Sequence, residues 1–74
     1  MPRYYFHYRD GSSILEDDVG EVFADASLAL QHARTIALEL ARGGEPINAA
    51  IIVAEGDQHL FEVLLSQSGG TGLF

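Results

Sequence analysis

A 74-residue chain without cysteine has to be held by a single hydrophobic core, since disulfides, thiolate metal sites and thiol chemistry are closed to it. Eleven acidic residues against four basic ones give a formal charge of −7, and Arg3, Arg9, Arg34 and Arg42 form no run. That balance argues against nucleic acid and against an anionic membrane surface as partners, while permitting a basic protein partner. No run reaches the length of a membrane span, and Met1–Asp10 lacks the pattern of a signal peptide, so the expectation is a cytoplasmic protein.

Arg3–Arg9, RYYFHYR, is an aromatic-rich run with strong strand preference. Asp10-Gly11 reads as a two-residue hairpin turn, returning the chain through Ser12–Glu16 as a second strand. That turn sets Phe6 opposite Leu15, His7 opposite Ile14 and Tyr8 opposite Ser13. Tyr4, Phe6, Tyr8 and Leu15 then share one face, expected against the helix, while Tyr5, His7, Ile14 and Glu16 share the other. Asp17–Ala24 reads as a turn-rich connection in which Val19, Val22 and Phe23 plug the helix entrance.

Asp25–Arg42 has the one clear helical period of the chain. Asp25 suits an N-cap, and Ala26, Ala29, Leu30, Ala33, Ile36, Ala37 and Leu40 fall on one stripe. The alanines on that stripe imply close approach of helix to sheet. Leu28, Gln31, Thr35 and Leu38 form a weaker second stripe, read as surface. Gly43-Gly44 ends the helix, because glycine takes the left-handed cap conformation without steric strain.

Glu45-Pro46 reads as a linker, Ile47–Ala54 as a third strand, Gly56-Asp57 as a turn and His59–Leu65 as a fourth strand. A regular two-residue loop pairs Ile52 with Phe61 and Val53 with Leu60. Both faces of this hairpin are then apolar: Ala50, Ile52, Phe61 and Val63 on one, Ile51, Val53, Leu60 and Leu64 on the other. One helix covers one face, so a second covering is implied. The Gly/Ser-rich stretch from Ser66 to Phe74 reads as a flexible tail in which only Leu73-Phe74 could fold back.

Chemistry is sparse. His7, His32 and His59 form no metal motif, and nothing in the sequence brings His7 and His59 together. The acidic cluster Glu16-Asp17-Asp18 and Gly20-Glu21 lacks the register of a calcium loop and reads as a solvated turn. Gly69–Gly72 lacks the lysine and helix of a phosphate loop. No catalytic residue, metal ligand or cofactor site is assigned.

Pro2-Arg3-Tyr4-Tyr5-Phe6-His7, then Asp10-Gly11, then Asp17-Asp18-Val19-Gly20 and the Ala-rich helix from Asp25 together resemble a family of short uncharacterised bacterial proteins. Its members read Pro-Arg-Tyr-Phe-Phe-His, Asp-Gly and an acidic-acidic-x-Gly turn before a helix, over about residues 2–65 here. The resemblance is to a domain of unknown function, so it implies no activity. An aromatic first strand, hairpin and Ala-striped helix also resemble the small HicB-type antitoxin domains, although Glu21–Asp25 keeps only a trace of their Phe-Pro-Asp-Leu-Pro-Gly-like segment.

The sequence therefore predicts an α+β domain over residues 1–65, two antiparallel β-hairpins packed on one α-helix (β-β-α-β-β), followed by a tail. The expected function is a non-enzymatic interaction module, homodimeric through an apolar sheet face of Ile51, Val53, Leu60 and Leu64, with Tyr5 and Ile14 extending it. The alternative is an antitoxin-like or regulatory acidic protein that masks a basic partner.

Overall fold

The computed structural model describes residues 1–44 and 48–66. The chain runs β1 (Arg3–Asp10), β2 (Ser13–Leu15), β3 (Glu21–Val22), α1 (Ala26–Arg42), β4 (Ala50–Glu55) and β5 (Gln58–Leu64). All pairings are antiparallel, in the order β2-β1-β4-β5, with β3 also against β1. The α+β class is as expected, but the arrangement has five strands, three of them ahead of the helix. β3 is the missed element. Two residues cannot display an alternation, and Glu21–Val22 are specified by their partners Tyr4 and Arg3.

The first hairpin turns at Gly11-Ser12 rather than Asp10-Gly11, pairing Tyr8 with Leu15, Arg9 with Ile14 and Asp10 with Ser13. Gly11 has φ 63° and Ser12 is not left-handed, so a glycine leads the loop in the manner of a type II′ turn. The shift from the expected pairing is two residues, an even number, so every side chain keeps its face. Tyr4 is buried, and Phe6 and Tyr8 pack on the same core, as expected. Leu15 shares their face but remains exposed, because α1 lies over β4 and β5 rather than over β1.

α1 is bounded as its sequence dictates. The Asp25 carboxylate accepts from the Leu28 N–H and the Ser27 hydroxyl, and Arg42 occupies the last turn, where a cation suits the dipole. Only the second glycine of the stop is left-handed: Gly43 continues helical at φ −79°, and Gly44 takes φ 94°. All seven stripe residues lie in or against the core, with Ala29, Ala33 and Ala37 fully buried where the helix meets the sheet. Val19 and Val22 are exposed and do not plug the helix entrance; Phe23 alone does, half-buried against Tyr4, Phe6 and His32.

The second hairpin carries the main correction. Its turn is Gly56-Asp57, flanked by Glu55 and Gln58, but the register slips between Val53 and Ala54. Ala54 pairs with His59 and Val53 with Phe61, leaving Leu60 as an extra residue in a β-bulge. Beyond the bulge β5 is one residue out of the expected phase, so the side chains that share a face are exchanged. Ile51, Val53, Phe61 and Val63 face the helix; Ala50, Ile52, Glu62 and Leu64 face away. Leu65 follows, fully buried, its N–H donating to the Ala49 carbonyl at 3.0 Å. The linker read at 45–46 and nearly all of the tail lie outside the described residues, and no described helix is long and apolar enough to cross a membrane.

Candidate functional site

The outer edge of β1 has a gap. β3 pairs with Arg3 and Tyr4, β2 pairs from Tyr8 to Asp10, and neither reaches Phe6. An unpaired strand N–H would be left there, and the Asp17 side chain fills the place of the absent strand. Its Oδ2 accepts from the Phe6 N–H at 3.2 Å, while Oδ1 accepts from the Val19 and Gly20 N–H groups at 3.0 and 3.1 Å. Partial burial disfavours the charged carboxyl, but the three N–H donors outweigh it and hold the Asp17 pKa below its ordinary value.

The same turn binds in both directions. The Asp17 N–H donates to His7 Nδ1 at 3.1 Å, which leaves the proton of the neutral ring on Nε2. Arg3 donates to the Val19 carbonyl at 2.9 Å, and the Phe23 N–H reaches the Pro2 carbonyl at 3.3 Å. Gly20, at φ 71°, lies so close to β1 that a Cβ would stand 2.8 Å from the Tyr4 carbonyl oxygen and 2.9 Å from the Tyr5 ring. The acidic turn is therefore a structural splice along β1, not a merely solvated loop. Its role was hidden because no sequence pattern announces a carboxylate acting as a strand.

On the face away from the helix, β4 contributes only Ala50, Ile52 and Ala54, and all three are buried within the single chain. Longer side chains of β1 and β5 meet above them: Arg9 forms an ion pair with Glu62, and the His7 and His59 rings stand 6.2 Å apart. This face is therefore not the bare apolar sheet that the regular hairpin implied. It brings together two histidines that nothing in the sequence had connected. Tyr5, His7, Glu16, Asp17, Gly56, Asp57 and His59 line an open depression of about 450 Å³ there. With Asp17 committed to backbone donors, the free chemistry is two carboxylates beside aromatic rings, a surface suited to a cation. Among the described residues no group of three or more His, Cys, Asp or Glu is arranged to hold a metal ion.

The six residues predicted as an interface do not share a surface. Ile51 and Val53 are 2% and 0% exposed, packed against α1. Leu60 is half-buried in the bulge beside the core, while Leu64 and Tyr5 are half-buried on the opposite face. Ile14 is 51% exposed, far out on the β2 edge. Two causes separate them: Ile51 and Val53 lie on the β4 face that meets the helix, and the bulge rotates the apolar set of β5 so that Leu64 falls on the opposite face.

A different surface emerges at the other border of the sheet. β5 is an end strand, and α1 stands off from it, leaving a groove of about 910 Å³ lined by Leu30, Arg34, Thr35 and Leu38 of the helix and Leu60–Val63 of the strand. The two borders are treated differently. β1 is covered along its length by β2, Asp17 and β3, whereas no described residue pairs with the outer side of β5. This border strand carries neither proline nor glycine and its one acid is engaged by Arg9, but the bulge at Leu60 breaks its edge, so regular pairing with another strand is open only over Phe61–Leu64. Thr35 and Leu38, half of the stripe read as plain surface, belong to this groove.

No curated protein and no solved structure matches the chain. Of the residues on which the family resemblance is read, Arg3, Phe6, His7, Asp17 and Gly20 take part in the splice along β1, while Gly11 sits in its turn and Asp25 caps the helix. A family model matches residues 3–66, nearly the whole described domain, and the chain belongs to the family described as Domain of unknown function (DUF6894).

Proposed function

We propose that this chain is a small non-enzymatic interaction module that engages a protein partner by strand addition along β5, with the α1–β5 groove receiving the partner's apolar side chains. The observation that carries the reading is the asymmetry between β1, covered on its outer side by β2, Asp17 and β3, and β5, with whose outer side no described residue pairs and which adjoins a groove of mixed polar and apolar lining. Main-chain hydrogen bonds supply affinity in such docking, and the flanking pockets supply specificity.

A second reading keeps the acidic regulatory role and uses the Tyr5, Glu16 and Asp57 surface to hold a basic partner. Side-by-side capture from cells with the native chain, Leu38→Lys and Glu16→Lys separates the two. Strand addition predicts a partner lost with Leu38→Lys and kept with Glu16→Lys, and indifferent to salt. The reverse pattern, with binding that weakens as salt rises, would assign the function to the acidic surface.

A further inference from the structure

We propose that His7 is a proton-operated latch on the acidic turn. Neutral, the ring holds the turn by accepting from the Asp17 N–H; protonated, it lets go and swings towards the carboxylates of Glu16 and Asp57. The inference stands on the polarity of one hydrogen bond and holds whichever surface meets a partner.

A backbone N–H can only donate, so the 3.1 Å contact from Asp17 requires a bare lone pair on His7 Nδ1. Protonation places a hydrogen on that atom and leaves two donors facing each other. Histidine is the side chain that ordinarily gains such a proton just below neutral pH. One of the two groups then has to move.

The turn is anchored independently of the ring. The Phe6, Val19 and Gly20 N–H groups bond the Asp17 carboxylate, Arg3 holds the Val19 carbonyl, and Gly20 is wedged against the Tyr4 carbonyl. The half-buried His7 ring lies parallel to the Tyr5 ring at 6.5 Å, a contact along which it can turn. The ring therefore gives way and the turn stays.

Its surroundings provide a destination. From its own strand His7 is faced by Tyr5 and by Arg9, whose charge is held by Glu62 of β5. The acidic turn contributes Glu16 and Asp17, the β4–β5 hairpin contributes Asp57 and His59, and β4 places the apolar Ile52 beside it. Asp17 already accepts from three donors. Glu16 and Asp57 are exposed carboxylates of the same depression, and an imidazolium bonds such groups strongly. His59, at 6.2 Å, opposes the move only once it is protonated itself. The depression is thus an acidic surface at neutral pH and supplies its own cation below about pH 6.

NMR titration of the full chain from about pH 8 to about pH 5 tests the latch, on the native chain, His7→Gln and His59→Gln. The neutral His7 ring should carry its proton on Nε2. As His7 titrates, exchange of the Asp17 amide, corrected for the intrinsic effect of pH, should rise about tenfold with the same midpoint, as for loss of one ordinary hydrogen bond. The Phe6, Val19 and Gly20 amides should keep their protection. A glutamine oxygen accepts from the Asp17 N–H without titrating, so the response should vanish in His7→Gln and persist in His59→Gln. A neutral native ring with its proton on Nδ1 would overturn the proposal, as would a ring still neutral at about pH 5 or one that titrates without a response at Asp17. So would a response that survives in His7→Gln, or one shared by Phe6, Val19 and Gly20, which would mean that the turn moves and the ring stays. Should His7→Gln fail to fold, the native titration decides by itself.

Discussion

Asp17 does at one residue what a strand would otherwise do, and this makes it the most informative single position to change. Asp17→Ala should cost about 2–3 kcal/mol in urea unfolding, since three backbone donors lose a charged acceptor. Asp17→Asn should cost only about 1 kcal/mol, because one amide oxygen can still serve Val19 and Gly20 while its NH₂ cannot accept from Phe6. The pH dependence has a definite sign. The folded-state pKa of Asp17 lies below the ordinary 3.8, so its stabilising contribution is complete above that value and is lost as pH falls through the lower folded-state pKa. The slope of stability against pH below about 4 should therefore be shallower in Asp17→Asn. Asp25, whose pKa is lowered by the Ser27 hydroxyl and the Leu28 N–H, keeps part of that slope in either chain.

Gly20 offers a second test on the same splice. Gly20→Ala combines left-handed strain with a methyl group 2.8 Å from a backbone oxygen, and should lose about 3 kcal/mol or more by thermal or urea unfolding. Gly56→Ala has the strain but open space around it, and should lose only about 1 kcal/mol. Equal losses at the two positions would mean that Gly20 is needed for its backbone angle alone.

At the level of elements, the helix was the most legible part of the chain. Its cap, stripe and stop are all local signals, and the burial of Ala29, Ala33 and Ala37 follows from their spacing. The first hairpin was readable in its faces though not its turn, because a two-residue error preserves alternation. The second hairpin was not readable, since a bulge is an odd step and Ala49–Val53 are apolar at every position, leaving no polar alternation to reveal the phase. A mutation tests which face of β4 meets the helix. Ile51→Ala should destabilise the isolated domain by about 2–5 kcal/mol, as expected for a buried core residue, when followed by urea unfolding. Had Ile51 faced outward, the same change would have altered association and left unfolding nearly untouched.

At the scale of the molecule, the sheet is only half roofed by its helix. α1 covers β4 and β5, and the β1 half of that face is covered instead by Phe23 and His32, whose rings stand 6.0 and 5.0 Å from Phe6. His32 also reaches Glu21 at 3.5 Å, tying helix to β3. The outward face is shielded by side chains crossing above β4, and the Arg9–Glu62 pair among them should contribute less than about 1 kcal/mol because both members are partly solvated. Much of the candidate site lay beyond sequence reading for one reason. Strand order decides which edge is bare, and no local pattern records that β4 inserts between β1 and β5.

The splice at Asp17 and Gly20 also bears on how variation in this chain is to be read. From Arg3 to Gly20 the chain closes the outer side of β1 with its own side chains and backbone, so a change there acts first on the scaffold. The family match over residues 3–66 takes in both borders of the sheet and by itself assigns a role to neither.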